Sequence, residues 1–262
     1  MAANMAQQGV LPMHVQQAAT AQQLGPFAKV YKVNLIRLGF GIIVCAVIAL
    51  VCLGSATQSS DSAGVLLGAG LVCLGLTVLC IYNMVQIAGR QIFLFQQGLI
   101  IEHKGQIQLL PWSQIAEVWQ DITRHYRNGI YTGTTYRYTL RRGDGYQIKL
   151  NNNTAGISEL GTAVTQGITR ELVPRAMYSI RAGQTLTFGQ FNINTQGIGY
   201  GRELIPWQQV EDVKVNRGYV SVKKAGKFFN WGSTTVSRIP NFFVFLAISD
   251  EMIRQASRRR PQ

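Results

Sequence analysis

The sequence predicts a membrane-anchored α+β protein: an N-terminal hairpin of two transmembrane helices, then two tandem units, each a curled antiparallel sheet closed by a C-terminal helix. Three observations carry that expectation. Residues 38–56 and 63–88 are apolar runs without a single charged side chain. From residue 91 onward, apolar and polar residues alternate between glycines, the period of half-buried strands. One phrase is also written twice, LLPWSQIAEV at 109–118 and LIPWQQVEDV at 204–213, as a repeated structural corner would be.

Residues 1–28 form a Gln/Ala-rich tail with too few large apolar side chains for a core, so they are expected to be disordered, with His14 isolated in them. Residues 29–90 supply the hairpin. Its runs of 19 and 26 residues would span about 28 and 39 Å as helices, against a hydrocarbon thickness of about 30 Å. A cleaved signal peptide would have a shorter apolar core and no second span close behind it. Lys29, Lys32 and Arg37 precede the first run, Arg90 follows the second, and the connecting TQSSD offers only Asp61. The positive-inside rule therefore places a multi-pass protein in the cell (inner) membrane with both termini cytoplasmic. Cys45, Cys52, Cys73 and Cys80 all fall in the apolar runs without a CxxC, which suits small packing residues and neither a disulfide framework nor a zinc site. Gly64 and Gly68 permit close helix approach.

The first unit, residues 91–182, opens with QIFLFQ, LIIEHK and QIQLLP as short strands. Pro111 cannot donate to a sheet ladder, so Pro111-Trp112 reads as a one-turn corner with the indole over the core. A strand from about 115 to 127 ends at Asn128-Gly129, a strong hairpin signal. The returning YTGTTYRYTLRR requires a bulge, placed at Gly133, that would oppose Val118 to Tyr138, Gln120 to Tyr136 and Ala116 to Leu140. The turn at 143–145 then pairs Leu140 with Ile148 and sends Arg137, Arg141 and Lys149 to the outer face together. They form either a solvated outer face or an anion site. An apolar stripe through Ile157, Leu160, Val164, Ile168 and Leu172 predicts a helix over 155–172, which Pro174 should break or kink before a second segment reaches Arg181. The second unit, residues 183–257, repeats the plan: short strands, the Pro206-Trp207 corner, longer strands, and a final helix from near Pro240. A basic tail occupies 258–262.

The run TRHYRNGIYTGTTYRYTL at 123–140, with PWSQI before it and IPNFFVFL at 239–246, resembles a bacterial family of two-span membrane proteins of unknown function with pleckstrin-homology-like cytoplasmic domains. The resemblance covers about residues 30–256 and implies a fold and a membrane setting, but no catalytic residues. Eukaryotic relatives of that fold bind phosphoinositides through a basic first-strand signature that is not recognisable here.

No HExxH, GxSxG or GxxxxGK[ST] pattern occurs, and no Cys/His cluster, so neither a metal nor another cofactor is expected. His125, beside Tyr126 and Tyr131, is the one histidine whose neighbourhood could serve an enzyme, and it anchors the alternative reading of the chain as an enzyme or enzyme subunit. The formal net charge of +13 points to anionic partners, and from residue 90 onward 22 basic residues face 11 acidic ones. Nucleic acid is the less natural partner, since neither a recognition helix nor an RNP sequence is evident. The leading expectation is a binding or scaffold module at the membrane surface, addressing anionic lipid headgroups or a protein partner. Its sharpest candidate contact is the hairpin YVSVKKAGKFFNW at 219–231. There Lys223, Lys224 and Lys227 flank a turn and Phe228, Phe229 and Trp231 return either into the core or out to the headgroups.

Overall fold

The computed structural model describes residues 11–56 and 63–258. The connecting loop with Asp61, residues 1–10 of the tail and residues 259–262 of the basic end lie outside the described residues. The chain is α+β, an apolar helical hairpin followed by antiparallel sheets with helices. In order, α1 (Met13–Ala21) and β1 (Phe27–Lys32) precede the hairpin helices α2 (Leu35–Ala56) and α3 (Ala63–Ile87). Then come β2 (Gln91–Phe95), β3 (Gly98–His103), β4 (Gln106–Pro111), a one-turn 3-10 helix at Trp112–Gln114, β5 (Ile115–Arg127), β6 (Ile130–Arg142), β7 (Gln147–Asn151) and α4 (Ile157–Arg181). The second half runs β8 (Leu186–Phe188), β9 (Phe191–Ile193), β10 (Gly197–Tyr200), β11 (Glu203–Pro206), a 3-10 turn at Trp207–Gln209, β12 (Val210–Asn216), β13 (Tyr219–Lys224), β14 (Asn230–Thr235) and α5 (Phe242–Arg258).

The two halves are the same meander. The sheets run β1-β2-β3-β4 and β5-β6-β7 in the first half and β8-β9-β10-β11 and β12-β13-β14 in the second. Each corner tryptophan is buried, 2% exposed at Trp112 and 3% at Trp207. Each indole Nε1 donates to a backbone carbonyl across its sheet, Trp112 to Gln96 at 3.0 Å and Trp207 to Asn194 at 2.9 Å. Even a pairing irregularity recurs, between Ile115 and Glu117 and again between Val210 and Asp212. The Asn128-Gly129 turn has φ of 49° and 78°, and Arg217-Gly218 closes the equivalent turn at 47° and 82°.

Four expectations need correction. The N-terminal segment is not uniformly disordered, since α1 lies on the outer face of the first sheet, burying Val15, Ala19 and Leu24 against Phe93, Phe95 and Ile100. A segment too poor to build a core can still complete one that a sheet offers. His14 is accordingly not isolated, with its Nε2 3.1 Å from Glu102 Oε1. Second, the apolar hairpin does not precede the first unit but interrupts it: β1 pairs with β2, Lys32 opposite Gln91, and α2 and α3 leave and return between them. Third, the β5–β6 bulge has the opposite sense. It leaves Thr132 on the returning strand unpaired, so Val118 faces Leu140 and Gln120 faces Tyr138, whereas β6–β7 pairs Leu140 with Ile148 as expected. Fourth, Pro174 neither ends α4 nor splits it. Leu172 and Val173 just before it and Ala176, Met177 and Ile180 beyond it pack into the second core, and their burial outweighs a proline cost of about 3 kcal/mol.

The spans Gly39–Ala56 and Gly64–Ile87 are long and apolar enough to cross a membrane, and only 11% and 6% of their residues are buried. They meet where Gly70 packs on Leu53, whereas Gly64 and Gly68 face open space. The four cysteines are free.

Candidate functional site

The second unit projects a hairpin tip between β13 and β14. Val220 and Val222 are buried and root it in the core. The tip turns later than expected, because Lys224 is still in β13 and β14 begins only at Asn230. Phe228 and Phe229 are therefore in the turn, 99% and 86% exposed, with no core position available to either. Trp231 does return to the protein, packing edge-on against Tyr200 and donating its Nε1 to Glu203 at 3.1 Å. Lys223 pairs with Glu211 at 2.7 Å and is not free for another anion. Lys224 and Lys227 make no ion pair among the described residues, and with Phe229 and Trp231 they line a cleft of about 500 Å³.

The ridge of the first unit is neutralised in place. Arg137 reaches Asp121 at 3.3 Å, and Arg141 pairs with Glu117 while lying over the Trp119 ring. Alternation puts these acids on the face that the arginines share, so ridge and counter-ions come from one register. Lys149 is the exception. It lines a cavity of about 400 Å³ with Arg90, His103, Gln106, Gln108 and Tyr146, in which no acidic side chain takes part. Burial holds the Arg90 guanidinium below its ordinary value, as expected for a cation short of counter-charge. This cavity sits where α3 ends: His103 Nε2 donates to Gln86 O at 2.7 Å and Lys104 Nζ to Gln86 Oε1 at 2.5 Å.

His125 lies on the part of the β5–β6 ribbon that extends past the core. Its Nε2 is 2.8 Å from Thr135 Oγ1, and Tyr126 packs edge-on against Tyr131 with centroids 5.9 Å apart. Both tyrosines are more than half exposed. None of the cavities described here is lined by His125, and no group of three or more His, Cys, Asp or Glu side chains suited to a metal occurs among the described residues.

Comparison with protein families matches residues 1–259 to a family of unknown function, DUF6585. The chain belongs to DUF6585. A search of curated proteins finds no match to it. The match takes in both the hairpin and the two sheet-and-helix halves of this DUF6585 chain, so the repeat belongs to the family's own extent. Sequence reasoning overlooked two DUF6585 residues that the fold makes prominent. Arg90 was read only as a topological flank, although its place directly after an apolar run was the available signal. Asn241 had no signal short of the fold, because its partners are in the other unit: Val118 N donates to its Oδ1 at 2.9 Å and its Nδ2 donates to Ala116 O at 2.8 Å.

Proposed function

We propose that this protein is a membrane-anchored binding module that presents two pleckstrin-homology-like units to the anionic cytoplasmic face of the cell membrane. Two four-plus-three-stranded meanders, each followed by a helix, support the fold assignment. The exposed apolar hairpin supports the anchor, and the lysines and arginines at its base support cytoplasmic termini. Because β1 and β2 are paired neighbours, residues 11–32 and 91–258 share one side of the bilayer in this reading.

The observation that carries the proposal is the pair of exposed rings, Phe228 and Phe229, directly after Lys227 in the turn that Lys224 leads into. Rings of this kind settle at the interface while lysines meet phosphates. Each lysine near an anionic leaflet contributes about 1 kcal/mol, so the two unpaired ones supply about 2 kcal/mol. That orients a domain already held by two helices and is not needed to attach it. In nanodiscs, with an environment-sensitive fluorophore at position 225, emission should shift to the blue as anionic lipid is added. High salt or the Lys224→Gln/Lys227→Gln variant should reverse the shift. Emission indifferent to lipid charge, salt and substitution alike would refute a headgroup role for this tip.

A further inference from the structure

A second cleft, of about 480 Å³, opens between the two units, away from every residue assigned above to headgroup contact. Its floor is the inner face of the β5–β6 ribbon, Gln120, Ile122 and Tyr138; α4 gives Thr165 and Arg170, and Phe243 of α5 closes it from the second unit. The Gln120 side chain is the unusual member. The residue is only 9% exposed and lines the cleft, and its side-chain amide makes no hydrogen bond with the described residues and opens onto the cleft. Of the other buried residues in the lining, Thr165 is served, its hydroxyl donating to Gly161 O at 2.9 Å and lying 3.0 Å from Thr162 O, whereas the Tyr138 hydroxyl, like the Gln120 amide, makes no hydrogen bond with the described residues. An unpartnered amide at the wall of a cleft is available to a polar group bound there. Arg170 is the sole charged group in the lining, is exposed, and has no acidic partner within 4 Å among the described residues. Ile122 and Phe243 are large apolar side chains left partly open to solvent. Apolar walls with a few converging polar groups at a domain junction are the usual make-up of a small-molecule site.

We propose that this inter-unit cleft binds a small amphipathic acid. Its apolar body packs between Ile122, Tyr138 and Phe243, its carboxylate pairs with Arg170, and Gln120 supplies the buried hydrogen bond. The proposal stands independently of the lipid contact at the hairpin tip.

The probe is para-trifluoromethylphenylpropionate, followed by fluorine NMR line broadening on the full chain in nanodiscs, with empty discs as the partition control and the neutral propionamide as a matched ligand. Saturable broadening beyond that of empty discs is expected for both. Arg170→Gln should weaken the acid about tenfold, as loss of a charge-assisted bond does, and leave the amide unchanged. Gln120→Leu should weaken both ligands while the protein melts at the same or a higher temperature, since an unpartnered amide is replaced by an apolar group of similar size. Broadening no greater than in empty discs would overturn the proposal. So would a Gln120→Leu protein that melts lower and binds both ligands unchanged, because the amide would then serve the fold alone.

Discussion

Asn241 joins the two units through the edge of β5, and replacing it separates that contact from the rest of the fold. The edge strand of a sheet leaves backbone groups without partners. Here Asn241 N donates to Val118 O at 2.8 Å, and its side-chain amide takes up Val118 N and Ala116 O in the manner of a paired strand. Its φ of 52° puts it in the left-handed region, where Asn is tolerated and Ala is not. Asn241→Gly keeps that backbone and removes two hydrogen bonds, each worth about 1 kcal/mol, with a further cost of about 1 kcal/mol if the half-buried Val118 amide stays unpaired. The expected loss is about 2–3 kcal/mol, and Asn241→Ala should lose about 1 kcal/mol more for its left-handed backbone. Hydrogen exchange of the full chain in nanodiscs, read at the Val118 amide and alongside thermal melts, measures both. Unchanged Val118 protection in Asn241→Gly would refute the edge-pairing argument, and equal stability of the Gly and Ala variants would refute the backbone one.

Trp207→Ala should cost about 3–5 kcal/mol by emptying the second corner, whereas Trp207→Phe keeps much of the packing and should lose about 1 kcal/mol with the bond to Asn194 O; melting curves rank the two, and an undisturbed Ala variant would contradict the buried corner. Burial, reinforced by Glu159, pushes the Tyr31 phenol up to about 12 from the ordinary 10.0, so the folded state holds its proton where the unfolded state has lost it. This contribution, on the order of 3 kcal/mol, is intact below pH 10 and disappears as pH rises toward 12; Tyr31→Phe should flatten that alkaline limb of a stability profile, and an identical limb in the variant would show that other groups cause it.

The parts of the fold that could be read in the sequence were those specified by neighbours along the chain. A proline that cannot donate and a tryptophan beside it determine a corner locally, so Pro111-Trp112 and Pro206-Trp207 declared the repeat without any knowledge of its partners. Asn128-Gly129 and the turn before Tyr146 were local in the same sense. What could not be read depended on contacts made elsewhere. Gly133 marked a bulge, but which strand carries the extra residue reverses the register, and only the pairing of Val118 with Leu140 decides it. Pro174 is a helix breaker locally and is overruled by a core that belongs to the other unit. The docking of α1 did leave a trace: IFLF at 92–95 is unbroken apolar where a half-buried strand would alternate, and a strand with both faces covered reads that way. In the candidate site, the lysines and rings of the tip were legible as a cluster. That Lys223 and the two ridge arginines would be taken up by Glu211, Asp121 and Glu117 required the cross-strand register.

The position of the hairpin bears on how the proposed headgroup contact would be oriented. In the second unit the strands equivalent to β1 and β2 are joined by Gly189 and Gln190 alone; in the first, α2 and α3 stand in that place. The exchange is physically mild, because the ends of an antiparallel strand pair are about 5 Å apart and packed helices lie about 8–10 Å apart, so a helical hairpin can replace a tight turn without reshaping the sheet. Both junctions are then pinned. Val33 bridges to Thr154 and Asn34 N donates to Asn153 O at 2.7 Å on the way out, while His103 and Lys104 hold Gln86 on the way back. No flexible linker separates the hairpin from the first unit. From there α4 runs unbroken through Pro174 into the second core, and Asn241 ties the second unit back to β5. A single tether would let a basic domain sample many orientations at a charged surface. Two pinned entries, one continuous helix and one edge lock leave the tip of the second unit few attitudes to the hairpin axis, so that the lysine attraction proposed above, about 2 kcal/mol, would suffice to choose among them.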